Sequence, residues 1–93
     1  MLRIPVSINS LKKGYLYLFS ANMSEFYKLA SSASNGNKIS LSINGKYLGE
    51  MTLDTKYYRI LLTKKVTRNI LQDSYKFVEL KNTDNCVNIK FIK

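Results

Sequence analysis

The sequence predicts a mainly β fold with two short helices (α+β), arranged as a small closed or partly open β-barrel built from two similar strand-helix-strand units. Three observations predict it. Apolar residues alternate at period two in several segments; the period lengthens to three and four after Ser20 and again after Thr63; and these two changes lie 43 residues apart. At 93 residues and 45% hydrophobic content the chain suits one domain, 1–93, because a chain this short buries only about 60 to 70% of its unfolded surface.

The elements follow in order. Leu2, Ile4, Val6 and Ile8 alternate with Arg3, Pro5 and Ser7, as in a strand with one buried face, and Pro5 has no N–H to give to a neighbour, so this strand has a free edge. The segment NSLKKG is a turn closed by Gly14. YLYLFS is apolar on both faces, as in a strand covered on both sides. Beyond Ser20, the residues Met23, Phe26, Tyr27 and Ala30 form one apolar helical stripe, with Ser20 or Asn22 as its cap. SSASNGN ends that helix as a flexible linker.

Ile39, Leu41 and Ile43 alternate with Lys38, Ser40 and Ser42 up to Asn44-Gly45, the pair that favours a type I′ hairpin turn. The return strand carries Tyr47, Met51 and Leu53 on one parity, with Gly49 a bulge or a point of close approach. LDTK turns the chain into a mostly apolar strand from Tyr57 to Leu62. Thr63 then caps a helix whose apolar side holds Leu62, Val66 and Ile70. YKFVEL and CVNIKFIK finish the chain as two strands around the turn-rich KNTDN.

Laying Tyr15–Lys28 over Tyr58–Leu71 sets Ser20 on Thr63, Met23 on Val66 and Tyr27 on Ile70. The halves, about 1–53 and 54–93, each lack the apolar surface to stand alone, whereas together their strands cover most exposed edges.

Composition narrows the chemistry. Fifteen Lys and Arg against six Asp and Glu give a net charge of +9, which favours nucleic acid, an acidic protein or an anionic lipid surface without choosing among them. With one cysteine, Cys86, no intramolecular disulfide forms, and without histidine there is no nitrogen and sulfur set for zinc; no metal or cofactor is expected. No apolar run approaches the roughly 20 residues that cross a bilayer, so the expected setting is cytoplasmic, with no membrane partner. The abundance of Lys, Ile, Asn, Tyr and Ser is that of an AT-rich genome and fits a virus or other mobile element.

General acid-base work near neutral pH most often uses histidine, and Asp54, Asp73 and Asp84 all sit in turn-like segments where Asp bonds its own backbone. No catalytic residue is assigned, and the chain is expected not to be an enzyme. Lys56, Arg59, Lys64, Lys65 and Arg68 instead fall within thirteen residues free of acids, and Lys12 and Lys13 form a second cluster. Phosphate would also gain from the backbone N–H groups near Thr63 to Lys65, at the positive end of the helix dipole. Tyr15, Tyr17, Phe19, Phe26, Tyr27, Phe77 and Phe91 occupy apolar-parity positions and are expected in the core; Tyr47, Tyr57 and Tyr75 are the candidates for exposed stacking platforms.

The segment RILLTKKVTRNIL resembles the AbrB-type swapped-hairpin DNA-binding domain, in which a strand ending in Arg, two or three apolar residues and Pro precedes a short helix and two strands. Arg59, the apolar Ile60 to Leu62, Thr63 in the proline position, and the helical contacts Val66 and Ile70 carry the likeness. Ser74-Tyr75 stands where a Gly-Asp pair usually follows the helix. Over its whole length the chain is similar to the wider group of cradle-loop barrels, which includes duplicated single-chain forms. The resemblance implies DNA contact through Arg59, and then Lys64, Lys65 and Arg68. It also implies a homodimer, since two chains of that family complete one barrel, although two halves in one chain allow a monomer.

The function expected from the sequence is therefore a small, basic, non-enzymatic nucleic-acid-binding protein, with DNA ahead of RNA, gripping duplex DNA in a regulatory role. The alternative is a protein-interaction module, an inhibitor or adaptor that sets a basic face against an acidic protein partner.

Overall fold

The computed structural model describes residues 1–93. Strands and α-helices follow in the order β1 (Leu2–Pro5), α1 (Ile8–Lys12), β2 (Tyr15–Tyr17), α2 (Met23–Ala30), β3 (Ser34–Asn35), β4 (Lys38–Ile43), β5 (Lys46–Asp54), β6 (Arg59–Leu61), α3 (Lys64–Ile70), β7 (Phe77–Thr83) and β8 (Cys86–Ile92). The strands lie side by side as β1-β7-β8-β4-β5-β6-β2, with β3 also on β4, and only β4 and β8 run parallel. β1 and β2 end the row with one edge free, so the mainly β sheet curves into an open half-barrel. Pro5 sits on the outermost strand β1, as its missing N–H requires. No helix is long and apolar enough to cross a membrane.

Local chemistry sets the turns. Asn44 and Gly45 both have positive φ, +50° and +85°, and join β4 to β5 as a type I′ turn. Gly49, at φ +106°, marks a bulge: Leu41 pairs with Gly49 but Ser42 with Tyr47, leaving Leu48 extra. The extra residue reverses the parity of β5, so Tyr47 faces solvent while Leu53 is buried. Asp84 and Asn85, also at positive φ, make the corresponding turn between β7 and β8.

Three expectations need correction. The stretch NSLKK is a helix, α1, because the Ser7 hydroxyl accepts from the Ser10 amide at 3.4 Å and Leu11 is buried beneath it; the chain therefore has three α-helices. A short 3-10 turn, Ser20–Asn22, precedes α2, and neither Ser20 nor Asn22 caps it through its side chain; Asn22 Nδ2 instead donates to the Leu18 carbonyl at 3.0 Å. SSASNGN is an ordered 3-10 turn and a tight hairpin rather than a plain linker, pinned by Asn82 Nδ2, which donates to the Leu29 carbonyl and the Ser32 hydroxyl.

Twenty buried hydrophobic residues form one cluster that draws on both ends of the strand row. Phe26 of α2 is fully buried and belongs to it, with Ile4 of β1, Val78 and Leu80 of β7, and Ile89 of β8 in the same cluster. Every buried side-chain nitrogen and oxygen has a hydrogen-bond partner, as stable interiors require.

The β2–β6 pair has a local two-fold character. Leu16 lies opposite Ile60; the Leu62 amide donates to the Gly14 carbonyl at 2.8 Å, and the Leu18 amide donates to the Tyr58 carbonyl at 2.7 Å. Gly14 and Tyr58 both have positive φ, and so do Phe19 (+69°) and Thr63 (+79°). The same offset separates Gly14 from Tyr58, Leu16 from Ile60, Leu18 from Leu62 and Phe19 from Thr63, one residue longer than the sequence overlay suggests. Proline, locked near φ −65°, could not occupy position 63.

Gly14 is the residue that this junction tolerates least change in. At φ +93° it is strained for any L side chain, and a Cβ there would stand 3.0 Å from Lys64 N and 3.1 Å from Thr63 C. Gly14→Ala should cost about 2 to 3 kcal/mol, seen in urea unfolding as a lower midpoint with an unchanged slope.

Candidate nucleic-acid interface

The fold brings the two basic clusters of the sequence together at Gly14. Lys13 caps α1, its amide donating to the Ser10 carbonyl at 3.1 Å, and Gly14 follows with its amide on the Leu11 carbonyl at 3.0 Å. The Gly14 carbonyl then accepts from both Leu62 and Thr63, at 2.8 and 2.9 Å, which presses the end of α1 against the start of α3. The Lys64 stem lies over Gly14, its Cγ 3.3 Å from where a Cβ would be. Lys12, Lys13 and Lys64 therefore share one ridge, and Arg68 continues it one helical turn along α3.

All of these side chains, and Lys65 beside them, are exposed. None has a carboxylate within 4.0 Å: the ion pairs of the molecule are Arg3 with Glu79, Arg59 with Asp54, and Lys93 with Asp73. α1 and α3 carry no acidic residue at all. Five like charges without local neutralisation repel one another and concentrate anions near the surface.

The amide end of α3 is partly taken up by the fold, since the Thr63 amide donates to the Gly14 carbonyl at 2.9 Å. The Thr63 hydroxyl accepts from the Val66 amide at 3.4 Å, as a cap should, and the Gly14 backbone covers Lys64 N. The cations of this surface stand on exposed side chains.

Lys56 and Arg59 lie elsewhere, Lys56 in the β5–β6 turn and Arg59 at the start of β6. Arg59 Nε donates to Asp54 Oδ2 at 3.0 Å, and its guanidinium carbon sits 4.3 Å from the Tyr15 ring and 4.7 Å from the Tyr57 ring. Such cation–π contacts fix a guanidinium in place. Asp54 Oδ1 meanwhile accepts from the Lys56 and Tyr57 amides at 3.0 and 3.3 Å, the turn role expected of it. Arg59 thus organises the β5–β6 turn, while Lys56 stays exposed without a carboxylate partner.

The aromatic residues depart from expectation as well. Leu16 and Leu18 are buried, but Tyr15, Tyr17 and Phe19 are only half-buried, because β2 is the last strand of the row and its outer face has no covering layer. Tyr27 and Phe77 are exposed, Tyr47 and Tyr57 are exposed as anticipated, and Tyr75 is half-buried against Phe91, 5.4 Å between ring centres.

A separate groove of about 330 Å³ runs between α3 and the β4–β5 hairpin. Ile43, Leu48, Val66 and Ile70 line it, with Lys46 and Lys65 among its lining cations. The hairpin tip is held there by Asn88, whose Oδ1 accepts from the Ser42 hydroxyl at 2.8 Å and the Gly45 amide at 2.9 Å. No three Cys, Asp or Glu side chains converge to hold a metal ion.

Partial burial alone would raise the Asp54 pKa, but the Tyr57 amide, Arg59 and the Lys56 amide outweigh it and hold the carboxyl below its ordinary value. The stability it contributes is therefore present above the unfolded value of about 3.9 and is lost as pH falls through the lower native value. Urea unfolding of Asp54→Asn beside the wild type should show the variant less stable near neutral pH, with the gap closing in strong acid.

Compared with protein-family models, curated proteins and solved structures, the chain matches none.

Proposed function

We propose that this protein binds nucleic acid by its phosphates, duplex DNA foremost, in a regulatory and non-catalytic role. The observation that carries this reading is the ridge of Lys12, Lys13, Lys64 and Arg68, drawn together at Gly14 with Lys65 beside it and no carboxylate in reach. A polyanion of regularly spaced charges is the partner such a ridge neutralises best, and the gain comes from releasing its counterions. The succession β6, α3, β7, β8 has the order of the AbrB-type pattern and adds support for DNA, while the Thr63 backbone departs from that pattern.

A second reading draws on the α3–hairpin groove. Its apolar lining with Lys46 and Lys65 suits an acidic segment of a protein partner that buries apolar side chains. Val66→Glu would abolish such a contact and leave the Lys12–Arg68 ridge intact.

Titration of a labelled duplex at several salt concentrations tests the first reading. Log affinity should fall steeply with log salt, and the pairs Lys12→Ala/Lys13→Ala and Lys64→Ala/Arg68→Ala should each lower the slope by roughly 1 to 2, at about 0.9 for each phosphate no longer neutralised. Arg59→Ala should leave the slope nearly unchanged, since Arg59 is held by Asp54. Absence of binding at low ionic strength would remove the reading.

A further inference from the structure

At the far end of α1 from the ridge, a cleft of about 440 Å³ opens between the first turn of that helix and the outer face of the β2–β6 pair. Its walls include Ser10, Tyr15, Tyr17, Lys56, Tyr57 and Arg59. We propose that this cleft takes an unpaired nucleobase, so that the strand gripped by the ridge is read where it is single-stranded.

Its chemistry suits a flat, acceptor-rich group joined to a phosphate. Tyr57 is 52% exposed beside the half-buried Tyr15 and Tyr17, and the Arg59 guanidinium lies over the Tyr15 and Tyr57 rings, which leaves the remaining exposed surface of Tyr57 for a further flat group. Stacking on such rings is favourable for any base and needs an unstacked one. Around them stand donors. Arg59 spends only Nε on the protein, leaving its remaining N–H groups without an acceptor. Ser10 accepts from the Ser7 hydroxyl at 3.0 Å and keeps its own hydroxyl proton free, and Lys56 supplies an exposed ammonium. The one carboxylate nearby, Asp54, has both oxygens occupied by Arg59 and the turn amides, which lessens its repulsion of a phosphate.

Placement joins the two sites. α1 is five residues long, roughly 7 Å from end to end, so a strand held at Lys12 and Lys13 reaches the cleft within a nucleotide or two. A base still paired in a duplex cannot enter, because it would have to leave its stack first. The inference rests on the phosphate-binding function proposed for the ridge, and adds to it, among duplexes, a preference for those with unpaired ends.

The test compares labelled single-stranded DNA of about ten nucleotides, the blunt duplex of the same sequence, and that duplex with a single-stranded tail, by anisotropy at one salt concentration. The tailed duplex should bind more tightly than the blunt duplex, and the single strand should engage the cleft as the tail does. Tyr57→Ala and Tyr17→Ala should each weaken them about tenfold while leaving blunt-duplex affinity unchanged, and Tyr57→Phe should retain binding, since stacking survives. Urea unfolding of each variant confirms that it folds. A free mononucleotide should compete only weakly; one that binds as tightly as the oligonucleotide would reassign the cleft to a small nucleotide and overturn the strand-reading proposal. Tyrosine variants that bind single strands like the wild type, while Lys64→Ala/Arg68→Ala weakens every DNA, would overturn the cleft and leave the ridge standing. No binding of any DNA at low salt would overturn both.

Discussion

The hydrogen-bonded junction between β2 and β6 is the constraint on which the rest of this molecule depends. Two three-residue strands make a marginal pair by themselves. They are secured here by the Gly14 carbonyl accepting from Leu62 and Thr63, by the Tyr58 carbonyl accepting from Leu18, and by burying Leu16, Leu18, Ile60 and Leu62 completely behind them. Each bond contributes about 1 kcal/mol net, and each buried leucine or isoleucine about 1.5 to 3 kcal/mol. Burial thus stabilises the junction more than the bonds do, and the bonds set its geometry. The backbone at Phe19, Tyr58 and Thr63 adopts positive φ to make the exchange, at a local cost of about 1 to 3 kcal/mol each that only a well-packed surround can offset.

From this junction the charge distribution follows. Gly14 must be a glycine for the end of α1 to touch the start of α3, and that touch turns two short basic clusters into one ridge. Cations elsewhere are differently placed. Lys90 lies opposite Glu79 in the β7–β8 ladder, Arg3 pairs with Glu79, and Lys93 pairs with Asp73. The net charge of +9 is therefore neither uniform nor fully gathered: the β1–β7–β8 side carries its acids with it, and the α1–α3 side has none.

Much of the fold was legible because its signals were local. Asn44-Gly45 specifies its turn by the φ values both residues must adopt, the Thr63 hydroxyl caps α3, and the alternation of Ile39 and Leu41 sets the buried face of β4. What was not legible depended on contacts between distant segments. α1 is held by one buried residue, Leu11, and its Ser7 cap, too little to interrupt an alternation that runs on to Ile8. YLYLF is apolar throughout, and only its place at the end of the row shows that Tyr15 and Tyr17 face outward. At the site, the cations were visible as a run free of acids. That Asp54 claims Arg59, and that Gly14 packs against Thr63 and Lys64, could not be seen from spacing, since each depends on how the turn or the junction folds.

Native-state hydrogen exchange at the amides of Leu18, Leu62 and Thr63 tests the central claim most directly. If the junction holds the α1 and α3 elements in register, these three amides exchange only through global unfolding, with the same free energy that urea unfolding gives. Exchange at the rate of exposed turn amides, while the β4 and β8 amides stay protected, would show the junction opening on its own and would contradict the account.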